Sequence, residues 1–369
     1  MPSAETLAEA RRSLEICNAC RYCEGFCAVF PAMERRRAFS DGELEYLAHL
    51  CHNCRGCYFA CQYAPPHPFN LTLPRVFAEL RLEGVAERAR PPALRRLFAR
   101  NGLAAALGLA GAIAVVFLLT ALFAGPEALF GVHPVRPGSY YEVIPHALLA
   151  WPVGLVAVAA LVAIGLGLVD FWRGCGTALH TPLRATGAAL AALGDVLTLR
   201  NLGGGGHGCN DIDEAFSTTR RRLHHFLFYG FLLGILATTL AWIESLLGHP
   251  TPYPFFSAPV LAGTASGAAM LIGAGGMLWL HLAADPAPSA PGQLAPDLAM
   301  LGLLAAAAAS GLLLLALRAT SAMGTMLAIH LGCVLALFAL APYSRLAHGL
   351  YRAAALWRNA LEARAGKGR

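Results

Sequence analysis

The chain has 369 residues, of which 57% are hydrophobic and 14% are charged, and it carries a formal net charge of +6 at pH 7. A mean hydropathy of +0.54 is too high for a soluble globular protein of this length, so the composition excludes that class and predicts a membrane protein. The positive charge does not require a nucleic-acid partner, because basic residues that flank membrane spans account for it.

Eight of the eleven cysteines form two runs with the spacing C-x2-C-x2-C-x3-C. This spacing suits a [4Fe-4S] cubane, because one tight loop supplies three thiolates and the fourth comes from elsewhere. In two-cluster ferredoxins the last cysteine of each run ligates the other cluster. On that rule one cluster binds to Cys17, Cys20, Cys23 and Cys61, and the other binds to Cys51, Cys54, Cys57 and Cys27.

Two other uses of these cysteines are less consistent with the pattern. Structural zinc would leave the fourth cysteine of each run unexplained. Disulfides belong to oxidising compartments, whereas the basic flanks described below place this segment in the cytoplasm. The isolated Cys175, Cys209 and Cys333 are interpreted as ordinary buried or loop cysteines without a ligand role.

The segments around the cysteine runs favour helices. Bacterial ferredoxins have proline directly after the fourth cysteine, but Ala28 and Gln62 stand there in this chain. Residues 6–16 and 40–50 have apolar residues at helical intervals, and the second segment opens with a capping pattern. We therefore expect residues 1–100 to form an α-helical two-cluster domain that resembles those of fumarate and heterodisulfide reductase iron-sulfur subunits, and not a βαββαβ ferredoxin.

Six apolar stretches follow, each long enough to cross a hydrocarbon core of about 30 Å. They are residues 103–123, 146–169, 226–247, 259–280, 298–317 and 323–343. The predicted fold class is therefore all-α, with the iron-sulfur domain fused to a six-helix membrane domain at 101–350. A basic tail at 351–369 ends the chain.

Arginine positions predict the orientation. They cluster on one side of the six-span arrangement, whereas the opposite loops hold little beyond Arg136 and Arg318. By the positive-inside rule we expect the cysteine domain, both termini and the loop 171–222 to be cytoplasmic at a bacterial inner membrane. The glycine run 203–206 in that loop lacks a dinucleotide-binding context, and a flexible turn is favoured over a docking or quinone-access loop.

Histidines near the last span suggest b-type haem. His330 and His348 are 18 residues apart, or five helical turns, so one continuous helix would place them on one face roughly 27 Å apart. Such a pair predicts axial ligands for two stacked haems. The second ligands would be His146 with His330 and His225 with His348, with His224 as the alternative to its neighbour. The competing interpretation is that these rings simply lie at the lipid interface.

Four longer segments resemble the tricarballylate/citrate utilization protein B family, which is related to part of a cobalamin-pathway oxidoreductase. They are CHNCRGCYFACQYAPPHPFNL (51–71), DVLTLRNLGGGGHGCND (195–211), RRRLHHFLFYGFLLG (220–234) and AIHLGCVLALFALAPYSRLAHGLYR (328–352). The resemblance implies a membrane electron carrier for an FAD-dependent dehydrogenase that oxidises tricarballylate or a similar tricarboxylate. The last span also looks like the haem-bearing span of the nitrate reductase gamma subunit.

The sequence thus predicts an electron-transfer subunit of a flavoprotein:quinone oxidoreductase. Electrons would pass from reduced flavin through two [4Fe-4S] clusters and one or two b-type haems to the quinone pool. No acid, base or nucleophile constellation stands out, so cofactors carry the chemistry and no catalytic residue is predicted. Two alternatives remain: a quinol-oxidising subunit that feeds a cytoplasmic reductase, and an iron-sulfur membrane sensor or anchor without turnover.

Overall fold

The computed structural model describes residues 2–95, 101–176 and 182–366. Helices dominate these ranges, where strand is confined to a pair of two-residue antiparallel segments, β1 (Cys209–Asn210) and β2 (Phe216–Ser217). The predicted all-α fold class is confirmed. The predicted domain boundary at residue 100 and the end of the basic tail lie outside the described residues.

The N-terminal domain is helical. It contains α1 (Ala4–Cys20), α2 (Val29–Glu34), α3 (Asp41–Leu50), α4 (Gly56–Phe59) and α5 (Leu73–Arg88). Helix α3 begins with the predicted capping box, in which the Glu43 carboxylate accepts a 3.0 Å bond from the Ser40 backbone N–H. Leu14, Leu47 and Phe77 from three of these helices are fully buried and form one core. This core fixes the ends of α1 and α3, from which the two cysteine runs leave.

Ten further helices, most of them longer, are described after the N-terminal domain. They are α6 (Asn101–Phe123), α7 (Glu127–Phe130), α8 (Ser139–Val143), α9 (His146–Gly174), α10 (Pro182–Leu197), α11 (Thr219–Leu246), α12 (Ala258–Ala283), α13 (Leu294–Leu317), α14 (Met323–Leu340) and α15 (His348–Gly366). Six of them, α6, α9 and α11 to α14, are long and apolar enough to cross a membrane, as predicted.

The N-terminal domain packs against one end of this bundle, called here the domain end. Gly42 at the start of α3 contacts the last turn of α9 so closely that an added Cβ would lie 1.9 Å from the Gly174 carbonyl oxygen. Arg90 and Asp170 form an ion pair of 2.6 Å nearby. At the opposite far end, the His146 ring lies 3.4 Å from the Ser245 hydroxyl.

Two helices outside the spans strengthen the domain end. Helix α10 lies inside the predicted loop 171–222 and packs along α15, which includes most of the predicted basic tail. Arg36 of the N-terminal domain forms a 2.7 Å ion pair with Glu362 of α15. Both residues are largely shielded from solvent, so the C-terminal helix is a structural support of the iron-sulfur domain.

The Gly42 contact gives a first prediction. Gly42→Ala should destabilise the packing of the domain on the bundle by about 1–3 kcal/mol, because the new methyl group meets backbone and not a movable side chain. The midpoint of thermal unfolding, followed by tryptophan fluorescence in detergent, should fall relative to the wild type. Gly165→Ala in α9, where an added Cβ meets nothing within 4 Å, is the matched control. Equal midpoints for the two variants would contradict the close contact.

Candidate functional site

The two cysteine runs form tight loops at helix ends. Arg21 ends α1 in the left-handed conformation (φ 57°). Asn53 (φ 56°) and Arg55 (φ 64°), on either side of Cys54, also adopt the left-handed conformation. These turns aim backbone amides at the sulfur atoms: the N–H of Asn53 lies 3.4 Å from the Cys51 Sγ. Such N–H···S contacts are what an iron-sulfur cluster needs to compensate its negative charge.

The fourth cysteine of each run lies with the other run. The Cys17 thiol interacts with Cys20, Cys23 and Cys61. The Cys27 thiol interacts with Cys51 and Cys54, and Cys57 interacts with the same pair. This grouping is the one that crossed ligation requires.

Cysteines from both runs line one cavity beside the cysteine loops. A cavity of about 240 Å³ is lined by five of the cysteines: Cys17, Cys20, Cys23, Cys57 and Cys61. Among the described residues no three His, Cys, Asp or Glu side chains converge on the position of one ion. A cubane holds its four thiolates farther apart than zinc does, so the residues fit [4Fe-4S] clusters.

Burial controls the protonation of these thiols. Together with the charge of neighbouring thiols, it raises the pKa of Cys17 and of Cys23 to about 12. Cys54 behaves differently, because a hydrogen bond from the Cys209 thiol lowers the pKa of Cys54 to about 6. The Cys17 and Cys23 thiols are therefore protonated at pH 7 without iron, and cluster binding must release their protons.

Cys209 is thus closer to the clusters than the sequence indicated. It is fully buried, its Sγ lies 3.2 Å from the Leu202 carbonyl oxygen, and its thiol also reaches the Cys54 sulfur. The neighbouring Asn210 N–H donates a 2.9 Å bond to the Cys54 carbonyl. Only the fold could reveal this contact, since more than 150 residues separate the two cysteines.

The glycine run holds Cys209 in place. Gly205 (φ +72°) lies on the first cysteine loop, where an added Cβ would be 2.5 Å from the Gly25 carbonyl oxygen. Leu202, Gly203 and Gly204 are buried. The segment therefore packs on both cysteine loops, and the docking interpretation fits it better than the flexible turn that the sequence favoured.

A second loop from the membrane domain holds the same site. The Arg55 guanidinium donates to the Asp285 carbonyl (3.1 Å) and to the Ser289 hydroxyl (2.9 Å), between α12 and α13. Arg220 at the start of α11 donates to the Asn53 carbonyl. The second cysteine loop is consequently fixed to the bundle by its own Arg55 side chain and by the Arg220 side chain of the bundle.

The inner histidine pair differs from the one that was predicted. His225 points away, with its ring nitrogen 3.2 Å from the Thr198 carbonyl oxygen. The adjacent His224 instead faces His348, and their ring centres are 6.3 Å apart. Adjacent residues of a helix point about 100° apart, so the rotation of α11 selects His224, which was the alternative ligand.

The geometry of His224 and His348 suits two ligands of one iron. Imidazoles on opposite sides of an iron have ring centres roughly 6 Å apart, since each metal–nitrogen bond is about 2 Å. The His348 Nδ1 bonds to the Arg345 carbonyl, which leaves Nε2 for a metal. Burial, with Arg352 and Arg345 nearby, lowers the pKa of His348 to about 3, so the ring is neutral at pH 7.

The outer pair is not formed in the described structure. The His330 ring lies against Gly311, with its Nδ1 3.1 Å from the Ser310 hydroxyl. His146 is the first residue of α9 and contacts Ser245 and Tyr141. His146 begins its helix and His330 lies seven residues into its own, and the contacts of the two rings do not bring them together, so their pairing stays a prediction.

The five-turn relation between His330 and His348 is also wrong. Helix α14 ends at Leu340, and two short 3₁₀ turns separate it from α15. Pro342 and the extended Ser344 (φ −127°, ψ 177°) break the helix. The spacing argument assumed one continuous helix and therefore does not apply.

Sequence reasoning missed two groups beside the second cysteine loop. His52 lies between two ligand cysteines, is buried, and interacts with His224. Arg81 of α5 is 2% exposed and donates to the carbonyls of Ala48 (2.7 Å) and Cys51 (3.2 Å). The position of His52 inside a cysteine run was a signal available in the sequence, whereas nothing near Arg81 marked it.

Comparisons with known proteins agree with this arrangement. Residues 10–87 match the family described as citrate utilization protein B Fer4-like domain, and residues 98–368 match citrate utilization protein B. A curated relative from Escherichia coli, citrate utilization protein B, is 44% identical over 366 residues, which cover 98% of this chain and 94% of the relative. No solved structure matches the chain.

Crossed ligation predicts which substitutions share a phenotype. Cys27→Ala should remove the same electron paramagnetic resonance signal as Cys57→Ala, because both thiols serve the second cluster. Cys61→Ala should remove the signal that Cys20→Ala removes. Spectra of the reduced proteins and iron analysis after reconstitution test this. If Cys27→Ala instead affects the signal of the Cys20 cluster, ligation is not crossed.

The contact between Cys209 and Cys54 predicts a shift in potential. A hydrogen bond to a ligand sulfur stabilises the more negative reduced cluster. Cys209→Ala should therefore lower the midpoint potential of the second cluster by roughly 40 mV, equivalent to one hydrogen bond of about 1 kcal/mol. A redox titration followed by electron paramagnetic resonance measures this. Cys175→Ala removes a buried thiol near the end of α9 and serves as the control, with no shift expected.

Proposed function

Because the chain belongs to the citrate utilization protein B family, we propose that it is a membrane electron-transfer protein that reoxidises the reduced flavin of a partner dehydrogenase. The partner is FAD-dependent and acts on tricarballylate, citrate or a similar tricarboxylate, in keeping with the name of the family. The final acceptor is the quinone pool. The protein is thus a subunit of a flavoprotein:quinone oxidoreductase.

One observation carries this proposal: the redox sites are arranged in order from the open surface to the bundle. The first cysteine site lines an accessible cavity beside Tyr22, which is 69% exposed. The second site is buried against the bundle, where Cys51 and Cys54 are each 8% exposed. The Cys23 thiol interacts with Cys54, so the two sites are adjacent. Such an order suits entry of electrons from a soluble flavoprotein and exit into the membrane.

His224 and His348 are the residues that would hold a b-type haem next to the second cluster. A bound haem supplies a one-electron relay between cluster and quinone. The protein contributes two imidazoles, the Arg345 carbonyl that orients one of them, and a dry environment. Since His330 has a serine and a glycine as its neighbours, we propose one haem and not two.

The proposed location is a bacterial inner membrane with the iron-sulfur domain in the cytoplasm. Arginines of the bundle gather at the domain end, where Arg220, Arg345 and Arg358 contact their partners. The far end contains Arg318, whose guanidinium is held 3.6 Å above the Phe255 ring. This asymmetry follows the positive-inside rule.

Anaerobic reduction by the partner tests the function. The purified protein, mixed with a candidate dehydrogenase and its tricarboxylate, should lose its iron-sulfur absorption and show a reduced haem spectrum. Added quinone should restore the oxidised spectra, and omission of the tricarboxylate is the control. If the reduced flavin of the dehydrogenase is not reoxidised when both the protein and quinone are present, the proposal is wrong.

The histidine assignment makes a separate prediction. His348→Ala and His224→Ala should each abolish the b-type α band, because either change removes one axial ligand. His225→Ala should keep it, since that ring lies on the outer face beside Tyr229 and Thr198. Difference spectra of dithionite-reduced minus oxidised membranes provide the measurement. Full haem content in the His224 variant would contradict the pairing.

A further inference from the structure

Buried and half-buried guanidinium groups gather between the second cysteine loop and the inner histidines. Arg81 enters from α5 of the N-terminal domain and is 2% exposed. Arg352 lies one turn after His348 on α15 and therefore on the same face of that helix. Arg352 interacts with Arg81, Arg345 and Arg220, so several positive charges share one enclosed region.

Among the described residues, anions pair with some of these arginines and not with others: Asp211 interacts with Arg220. Arg345 has a carboxylate partner, Asp297, at 2.5 Å, and His281 shares that carboxylate at 3.1 Å. The sulfur of Cys51 is the other anionic group near Arg81 and Arg352, and it belongs to a cluster. A buried charge without a partner costs several kcal/mol, so the excess of arginine indicates a further anionic ligand.

Unsatisfied hydrogen-bond donors locate this ligand. The Nε and one terminal nitrogen of Arg81, and the Nε of Arg352, are buried without a hydrogen-bond partner. Arg81 already uses its other terminal nitrogen on the carbonyls of Ala48 and Cys51. The free donors belong to planar guanidinium groups, which bind carboxylates through two parallel hydrogen bonds.

We propose that Arg81 and Arg352 bind the two propionate groups of a b-type haem whose iron is ligated by His224 and His348. The inference rests on the proposed function, because it takes the axial pair from there. It assigns the residues that bind the propionate edge of the haem. Arg81 comes from the iron-sulfur domain, and Arg352 comes from the C-terminal helix. The haem therefore binds across the boundary between the two domains.

This arrangement also connects the haem site with the second cluster. Arg81 would hold a propionate with one part of its guanidinium and the Cys51 carbonyl, at 3.2 Å, with another. His52, with its Nδ1 2.8 Å from the Leu50 carbonyl oxygen, lies in the same loop and interacts with both His224 and Arg352. The Arg81 side chain would thus orient the haem and the second cysteine loop relative to each other.

Haem and its dimethyl ester, which has no carboxylate, are the probes for the experiment. The full-length wild-type protein, produced under haem limitation with both clusters intact, is titrated with each compound and followed by absorption. We expect the wild type to bind haem at least tenfold more tightly than the ester. Equal affinities would overturn the propionate site, even if the bis-histidine spectrum forms. Absence of any b-type spectrum would overturn the haem assignment in the proposed function as well.

Variants then test whether Arg352 causes the preference for haem over its dimethyl ester. Arg352→Gln should weaken haem binding at least tenfold and leave binding of the ester unchanged, and Arg352→Lys should be intermediate. Arg364→Gln, an exposed position on the same helix, is the matched control and should behave like the wild type. Unchanged haem affinity in Arg352→Gln would overturn the proposal.

Arg81→Gln is the second variant, in case Arg352→Gln loses its clusters. It should show the same selective loss of affinity for haem over the ester, and an equal loss for both compounds would contradict the proposal.

A citrate experiment distinguishes binding of a soluble carboxylate from binding of the propionates. Citrate is added to the haem-free wild type and to the arginine variants, and the unfolding temperature is measured. If citrate stabilises only the wild type, and the wild type does not prefer haem to the ester, the site binds soluble anions. The propionate assignment is then wrong.

Discussion

Electrons move only between centres that are held close together, and in this protein one contact holds them: the second cysteine loop packed on the domain end of the bundle. Three parts of the chain that are distant in sequence make this contact. Cys209 and its glycine segment cover the loop, and Arg220 and the segment at Asp285 hold it by hydrogen bonds. Together with the Gly42 contact and the Arg36–Glu362 ion pair, this packing joins the iron-sulfur domain to the bundle.

The same contact explains the unusual number of buried charges. A cluster with four thiolates is an anion in a low-dielectric setting, and it is stable there only with donors and positive groups around it. Arg81 and Arg220 bond to carbonyls of the second cysteine loop, and Arg55 links the loop to the bundle. Arg220, which the sequence presents as a membrane flank, therefore has a second role, since it binds the second cysteine loop.

The sequence revealed what depends on short distances along the chain. The cysteine spacing, the capping box at Ser40 and the length of each span all report local physics, and the structure agrees with each. It could not reveal the rotation of α11, which directs His224 toward His348 and His225 toward the Thr198 carbonyl. It also misled where one residue interrupts a regular pattern, as Pro342 does between His330 and His348. The contact of Cys209 with Cys54 needed the fold itself.

The position of the inner histidine pair bears on the energetics of the proposed electron transfer. Both His224 and His348 lie at the domain end, whereas His330 is deeper in the bundle beside Ser310. Moving one charge across the whole membrane against the potential costs roughly 2.3 kcal/mol per 100 mV. If a single haem at the domain end passes its electron to a quinone on the same side, and the protons come from that side too, no charge crosses the membrane. The transfer is then electroneutral, so the potential neither drives nor opposes it.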